Sequence, residues 1–160
     1  MDAFGDLGAP YHWGIAVRDI DRAVATWSSM PGCGTFAVMD FEVDATFRGR
    51  PSHVVGRIAY APLGTGGYVE LVQPISGEWT AATWLAERGE SAYHIGYWCD
   101  DVGATLGALD AQRVDTVAFD DAGTMFAYVD TVAELGVHTE LVRGSLKPFL
   151  TGWIAGVQPP

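Results

Sequence analysis

Tyr11–Trp27, YHWGIAVRDIDRAVATW, is written twice in this chain. The second copy is Tyr93–Leu109, YHIGYWCDDVGATLGAL, at a constant offset of 82 residues. Tyr11 pairs with Tyr93, His12 with His94, Gly14 with Gly96 and Asp19 with Asp101. The apolar positions Ile20, Val24 and Trp27 pair with Val102, Leu106 and Leu109. Their i, i+4, i+7 spacing marks one face of a helix, and the short apolar run before it alternates as a strand does. A repeat at fixed spacing decides the architecture before any single motif does. Here it also puts two of the four histidines at equivalent positions.

Working outward, the first copy continues as strands over about Phe36–Val43, Val54–Ala61 and Tyr68–Val72, the last stopped by Gln73-Pro74. Arg48-Gly49-Arg50-Pro51 reads as a loop and Pro62–Gly67 as a tight turn. The second copy continues with a helix over about Val102–Ala111 and strands at Val114–Phe119, Met125–Val129 and His138–Val142. FAYV in the second half matches IAYA in the first, and Glu140-Leu141-Val142 matches Glu70-Leu71-Val72. The fold class is therefore α+β: two βαβββ modules, about residues 11–74 and 92–143, within one domain spanning 1–160. A helical linker, 75–91, with Ser76 as its cap, joins them, and an apolar tail, 146–160, follows and should dock on the body.

With 20 carboxylates against nine Lys and Arg, the chain carries a formal charge of −11, which repels phosphate backbones and anionic lipid. Nucleic acid and membrane are therefore excluded as partners, and a small molecule is the expected ligand. No run approaches the roughly 18 apolar residues of a membrane span. MDAFGDLGAP lacks the basic and apolar regions of a secretion signal, and two cysteines suit free thiols, so a cytoplasmic location is expected.

Superposing the modules pairs His12 with His94 and Glu70 with Glu140. Taken singly, a strand histidine is usually a satisfied core residue and a strand glutamate a solvated one. Four such residues at equivalent places, each between apolar neighbours where a charge is costly unless paired or bound to metal, read instead as a ligand set. Two imidazoles and two carboxylates suit one divalent ion such as Zn, Ni, Co, Mn or Fe. They leave octahedral positions open for a substrate.

These motifs, HWGIAVRDIDRAVATW, GYVELVQP, YHIGYWCDDVGATL and GVHTELV, resemble the vicinal oxygen chelate superfamily, also called the glyoxalase/bleomycin-resistance/dioxygenase superfamily. The resemblance implies paired βαβββ modules whose mixed sheets curve into a U-shaped cleft around a metal held by His12, Glu70, His94 and Glu140. It also implies a homodimer, because members often pair their open sheet edges across a two-fold interface. The chain looks most similar to methylmalonyl-CoA epimerases and lactoylglutathione lyases. The epimerases carry a second acid/base carboxylate near the first-module metal strand, whereas HVVGRIAY, His53–Tyr60, has none and places Arg57 there.

The function so implied is a metal-dependent isomerase, epimerase or lyase. It acts through a metal-stabilised enolate of a small carbonyl substrate with vicinal oxygens. Glu140 is the first candidate for its base and His138, two residues away on the same strand face, the second. Arg57, Tyr60, Trp98 and Tyr128 are candidates for the substrate pocket, and Arg48 and Arg50 could grip an anionic group. Two other classes compete: a non-catalytic protein that binds or sequesters a small aromatic molecule, and an Fe(II) extradiol-type dioxygenase.

Overall fold

The structure is a computed structural model that describes residues 4, 7–64 and 66–157. Parts of the N-terminal lead-in, Thr65 of the first turn and the last three residues of the tail lie outside the described residues. The first module runs β1 (His12–Ala16), α1 (Ile20–Ser28), β2 (Ala37–Phe47), β3 (Arg50–Pro62) and β4 (Tyr68–Ser76). After α2 (Thr80–Arg88) the second runs β5 (Ser91–Cys99), α3 (Val102–Gly107), β6 (Val114–Asp120), β7 (Gly123–Val129), a short α4 (Val132–Leu135) and β8 (His138–Arg143). The tail forms α5 (Lys147–Ile154).

Each module helix starts where the repeat says it should. The Asp19 carboxylate accepts from the Arg22 backbone N–H at 3.0 Å, and Asp101 accepts from that of Ala104 at 2.9 Å, each satisfying a free first-turn donor. α1 buries Ile20 and Ala23 against Ala59, Ala61, Val69 and Leu71. α3 buries Val102, with Leu106 and Leu109 partly covered, against Cys99, Ala127, Val129 and Leu141. The i, i+4, i+7 faces are thus the packed ones.

Several boundaries differ from the sequence reading, each for a local reason. Arg48-Gly49 alone makes the β2–β3 turn, with φ of 49° and 77°, the two positive values of a tight two-residue hairpin. Arg50 and Pro51 therefore belong to β3, paired with Phe47 and Thr46. Pro74 does not end β4, because it sits opposite Gly56 at a bulge where a missing donor costs no ladder bond. Ser76 is consequently a strand residue, and α2 begins after Trp79 with no side-chain cap. α3 stops at Gly107, and the Asp110 carboxylate instead caps a separate 3-10 turn, Ala111–Arg113, by accepting from the Gln112 N–H.

The strands form one closed mixed sheet in the order β1-β4-β3-β2-β6-β7-β8-β5. β1–β4 and β5–β8 pair in parallel, and β1–β5 in antiparallel, through the repeat's own axis. A short ladder, Ala45–Phe47 against Thr116–Ala118, joins the modules on the far side. Ala37–Asp44 of β2 runs past this ladder without a strand partner on that side, and the homodimer stays an expectation. α2 packs Trp79, Ala81 and Trp84 among Val72, Tyr93, Ala118 and Tyr128, while α5 packs Leu150 and Trp153 with Tyr11, Tyr60 and Val142.

Thr116, fully buried on the closing ladder, ties this linker helix to the barrel. Its hydroxyl oxygen accepts from the Thr80 N–H at 3.0 Å and lies 2.8 Å from the Thr80 hydroxyl. Thr116→Val should destabilise the fold by about 1–3 kcal/mol, since the Thr80 groups at the start of α2 are left buried and unpaired. Urea denaturation measures this, and a change within error would mean that α2 is held by packing alone.

Candidate metal centre

The antiparallel β1–β5 pair sets the centre. Its register places His12 opposite Gly96 and Gly14 opposite His94. The parallel neighbours then bring Glu70 beside Gly14 and Glu140 beside Gly96. One step further round, Tyr60 lies opposite Glu70 and Tyr128 opposite Glu140. The result is two rows of side chains related by a pseudo-two-fold axis between β1 and β5.

Each imidazole lies across the other strand's glycine. A Cβ built on Gly14 would overlap the His94 ring, and one on Gly96 would overlap the His12 ring. Aromatic rings complete the seats. Tyr11 and Tyr60 meet His12 edge-on at 4.3 and 5.4 Å, and Tyr93 and Tyr128 meet His94 edge-on at 4.3 and 5.2 Å. Neither Nδ1 has a hydrogen-bond partner, so packing rather than a polar tether orients both rings.

The seats aim four donor atoms at one point. His12 Nε2 lies 3.3 Å from Glu70 Oε2 and 3.0 Å from Glu140 Oε2. His94 Nε2 lies 3.1 and 3.3 Å from the same two oxygens, and 2.6 Å from His12 Nε2. All four atoms fall within 4.8 Å of one another, and all four residues are buried. Donors held about 2.0–2.2 Å from a shared ion lie about 2.8–3.6 Å apart at cis or tetrahedral angles. The four His–Glu separations match that window and the His–His pair is slightly tighter. Both Oε2 atoms are buried and accept no hydrogen bond, a costly state for carboxylates that a central cation relieves. The donor set therefore fits a divalent ion.

The electrostatics agree. Burial by itself would raise the Glu140 carboxyl, but His94 and His12 outweigh it and hold it well below the usual carboxylate range; Glu70 is lowered in the same way. Burial would likewise lower the His94 imidazole, yet Glu140 and Glu70 raise it to about 9. For Tyr60 and Tyr128, burial and the adjacent glutamates act together and push both phenols well above their ordinary value. Those hydroxyls remain protonated, and so act as hydrogen-bond donors and not as bases.

A cavity of about 580 Å³ opens onto Glu70 and Glu140. Of the four pocket candidates picked out in the sequence, Tyr60 and Tyr128 line it, and Arg57 and Trp98 do not. Arg57 is bound to Asp21 at 2.9 Å and Asp40 at 3.0 Å, since β3 alternation turns it opposite to Tyr60. Trp98 shares the His94 face but lies beyond the start of β1, where it stacks on Tyr11 at 3.9 Å beside a separate groove. His138 shares the Glu140 face, yet its Nε2 sits 3.0 Å from Asp115 and its ring lies edge-on to Trp84, so it does not touch Glu140. Asp115 also takes Arg48, at 3.0 Å. Tyr11 and Tyr93 were missed as site residues, although the repeat pairs them directly before the histidines. Phe149 and Leu150 of α5 also border the cavity, with no signal inside the repeat to announce them.

Paired βαβββ modules around a buried two-histidine, two-glutamate centre define a vicinal-oxygen-chelate protein. Residues 11–128 match the family model described as the Glyoxalase/Bleomycin resistance protein/Dioxygenase superfamily, and the chain belongs to it. Among solved structures it is similar to the methylmalonyl-CoA epimerase of Streptomyces coelicolor (23% identity, TM-score 0.52, 85% of this chain and 96% of that one). It is also similar to the methylmalonyl-CoA epimerase of Mycobacterium tuberculosis (21%, TM-score 0.54, 92% and 99%). A hypothetical protein of Bacillus halodurans is similar as well (19%, TM-score 0.54, 84% and 93%). No curated protein matches the sequence.

The reciprocal seats make a specific demand on the glycines. Gly14→Ala and Gly96→Ala should each cost about 1–3 kcal/mol, the range for overpacking a buried site. Gly107→Ala, in helix α3 with open space where its Cβ would go, should instead be neutral or stabilising by up to about 1 kcal/mol. Denaturant melts of the three variants compare them directly. Equal behaviour of all three would show that the imidazoles do not rest on the glycines.

Proposed function

We propose that this chain is a divalent-metal-dependent isomerase, epimerase or lyase that moves a proton next to a carbonyl group of a small substrate with two neighbouring oxygens. The observation that carries this reading is the convergence of four buried donors, with two carboxylate oxygens lacking any other partner. Glu70 matters most in it, because a facial triad of two histidines and one carboxylate would leave that position free. The epimerase likeness of the fold supports the same chemistry.

An ion held by His12, Glu70, His94 and Glu140 would supply Lewis-acid polarisation of the substrate's two oxygens. The rest of the work falls to the chain. Glu140 borders the cavity, and its carboxylate is the group that can accept the substrate's proton. Tyr60 and Tyr128 border the same cavity and donate from hydroxyls that stay protonated. The apolar walls exclude water from the proton while it is off the substrate. A cytoplasmic setting belongs to this reading, with Cys33 and Cys99 as free thiols.

Purified protein should take up about one Zn, Ni, Co or Mn ion per chain and melt at higher temperature with it. Protein that binds none of them and gains no thermal stability would overturn the reading. The metal-free centre holds a proton on His94 up to about pH 9, and an incoming ion has to displace it. Affinity should therefore climb with pH, by up to about tenfold per unit, and level off above His94's own titration. Calorimetry in buffers of different ionisation enthalpy counts the released proton directly.

Glu140→Gln should keep much of the metal, since an amide oxygen still ligates. It should also slow exchange of the substrate's α-proton with solvent deuterium by at least about 100-fold. Glu70→Gln should lose more metal affinity and less exchange at saturating ion. Wild-type exchange by fully loaded Glu140→Gln would place the base elsewhere.

A further inference from the structure

We propose that the substrate carries an uncharged, aryl-sized apolar body, and that this site does not take coenzyme A thioesters. This rests on the functional reading above and adds the substrate class to it. The cavity wall beyond the two glutamates is aromatic and thioether in character: Met39, Phe41, Trp79, Met125, Phe126 and, from the tail, Phe149. Phe41 and Trp79 meet edge-on at 5.6 Å, and Phe126 meets Tyr128 edge-on at 5.8 Å, the geometry that receives another aromatic ring well.

Charge points the same way. Among the described residues lining the cavity no lysine or arginine occurs; of its carboxylates Glu70 and Glu140 face it, while Asp40, Glu42 and Asp44 of the rim alternate to the outer face with Arg57 and His53. The arginines nearest that rim are already engaged, Arg57 by Asp21 and Asp40 and Arg143 by Asp120. A coenzyme A tail would bring its phosphates to a mouth whose arginines are already engaged, on a chain of net charge −11. An uncharged body meets no such repulsion, and about 580 Å³ holds a phenyl ring together with a two-oxygen head.

The test is calorimetric binding of phenylpyruvate, pyruvate and methylmalonyl-CoA to metal-free and zinc-loaded protein. Phenylpyruvate should bind at least about 10-fold more tightly than pyruvate in both forms, the low end of what burying a phenyl-sized group contributes. Methylmalonyl-CoA should bind more weakly than phenylpyruvate. Phe126→Ala should narrow the gap between phenylpyruvate and pyruvate. Phe149→Ala, at a position 42% exposed and so harmless to the core, should narrow it as well. Equal binding of phenylpyruvate and pyruvate, no phenylpyruvate binding at millimolar concentration, or tighter binding of methylmalonyl-CoA would each overturn the proposal. Solvent deuterium exchange separates it from the reading beneath it. Selective phenylpyruvate binding without catalysed α-proton exchange removes the isomerase reading and leaves the substrate class standing. Catalysed exchange on methylmalonyl-CoA with no preference for the aryl acid does the reverse.

Discussion

Two imidazoles crossing over two glycines fix this molecule. β1 and β5 run antiparallel with His12 facing Gly96 and His94 facing Gly14, so each ring occupies the space where the partner strand has no side chain. Because side chains alternate with period two, a slip of one residue would turn both histidines to the other face of the sheet. The same register decides where β4 and β8 deliver Glu70 and Glu140, since each lies parallel beside one of these two strands. Position of the donors, closure of the barrel and seating of the tyrosines all follow from one strand pair.

That arrangement is expensive without a cation. Two carboxylates and two imidazoles are removed from water, with Glu70 and Glu140 each about 5% exposed and His12 and His94 nearly inaccessible. Taking one charge into such a place costs several kcal/mol unless it is paired. In the chain by itself the glutamates raise the His94 imidazole and the imidazoles lower both carboxyls. The rings are held by packing, with no polar partner at either Nδ1.

The duplication made most of this legible from the sequence. A constant offset identified the first strands, their helix faces and the two histidines, and the matching Glu-Leu-Val runs added the two glutamates, because equivalence in a repeat is information about space as well as about spacing. What stayed hidden needed the level of a residue within the barrel, which alternation does not encode. His138 shares a strand face with Glu140, yet it sits a step nearer α2, where Trp84 and Asp115 claim it. Trp98 shares a face with His94 and overshoots the end of β1. Arg57 was avoidable: three residues from Tyr60 on one strand, it had to face the other way. The closing ladder was not, since three pairs between β2 and β6 leave no mark in either strand's pattern.

Duplication makes Glu70 and Glu140 geometric equivalents, and a substrate bound to perfectly equivalent carboxylates would have no reason to give its proton to one of them. The surroundings break that equivalence. Tyr93 holds its hydroxyl 3.0 Å from that of Tyr128, deep against α2, whereas the corresponding Tyr11 borders the cavity. α5 follows β8 as α2 follows β4, but with a different sequence it packs Trp153 edge-on to Tyr60 at 6.2 Å and adds Phe149 and Leu150 to the cavity wall. The linker helix and the tail therefore distinguish two halves that the strands make alike. The geometry of the four donors comes from the repeat, and the differences between the two halves of the cavity come from the two segments outside it.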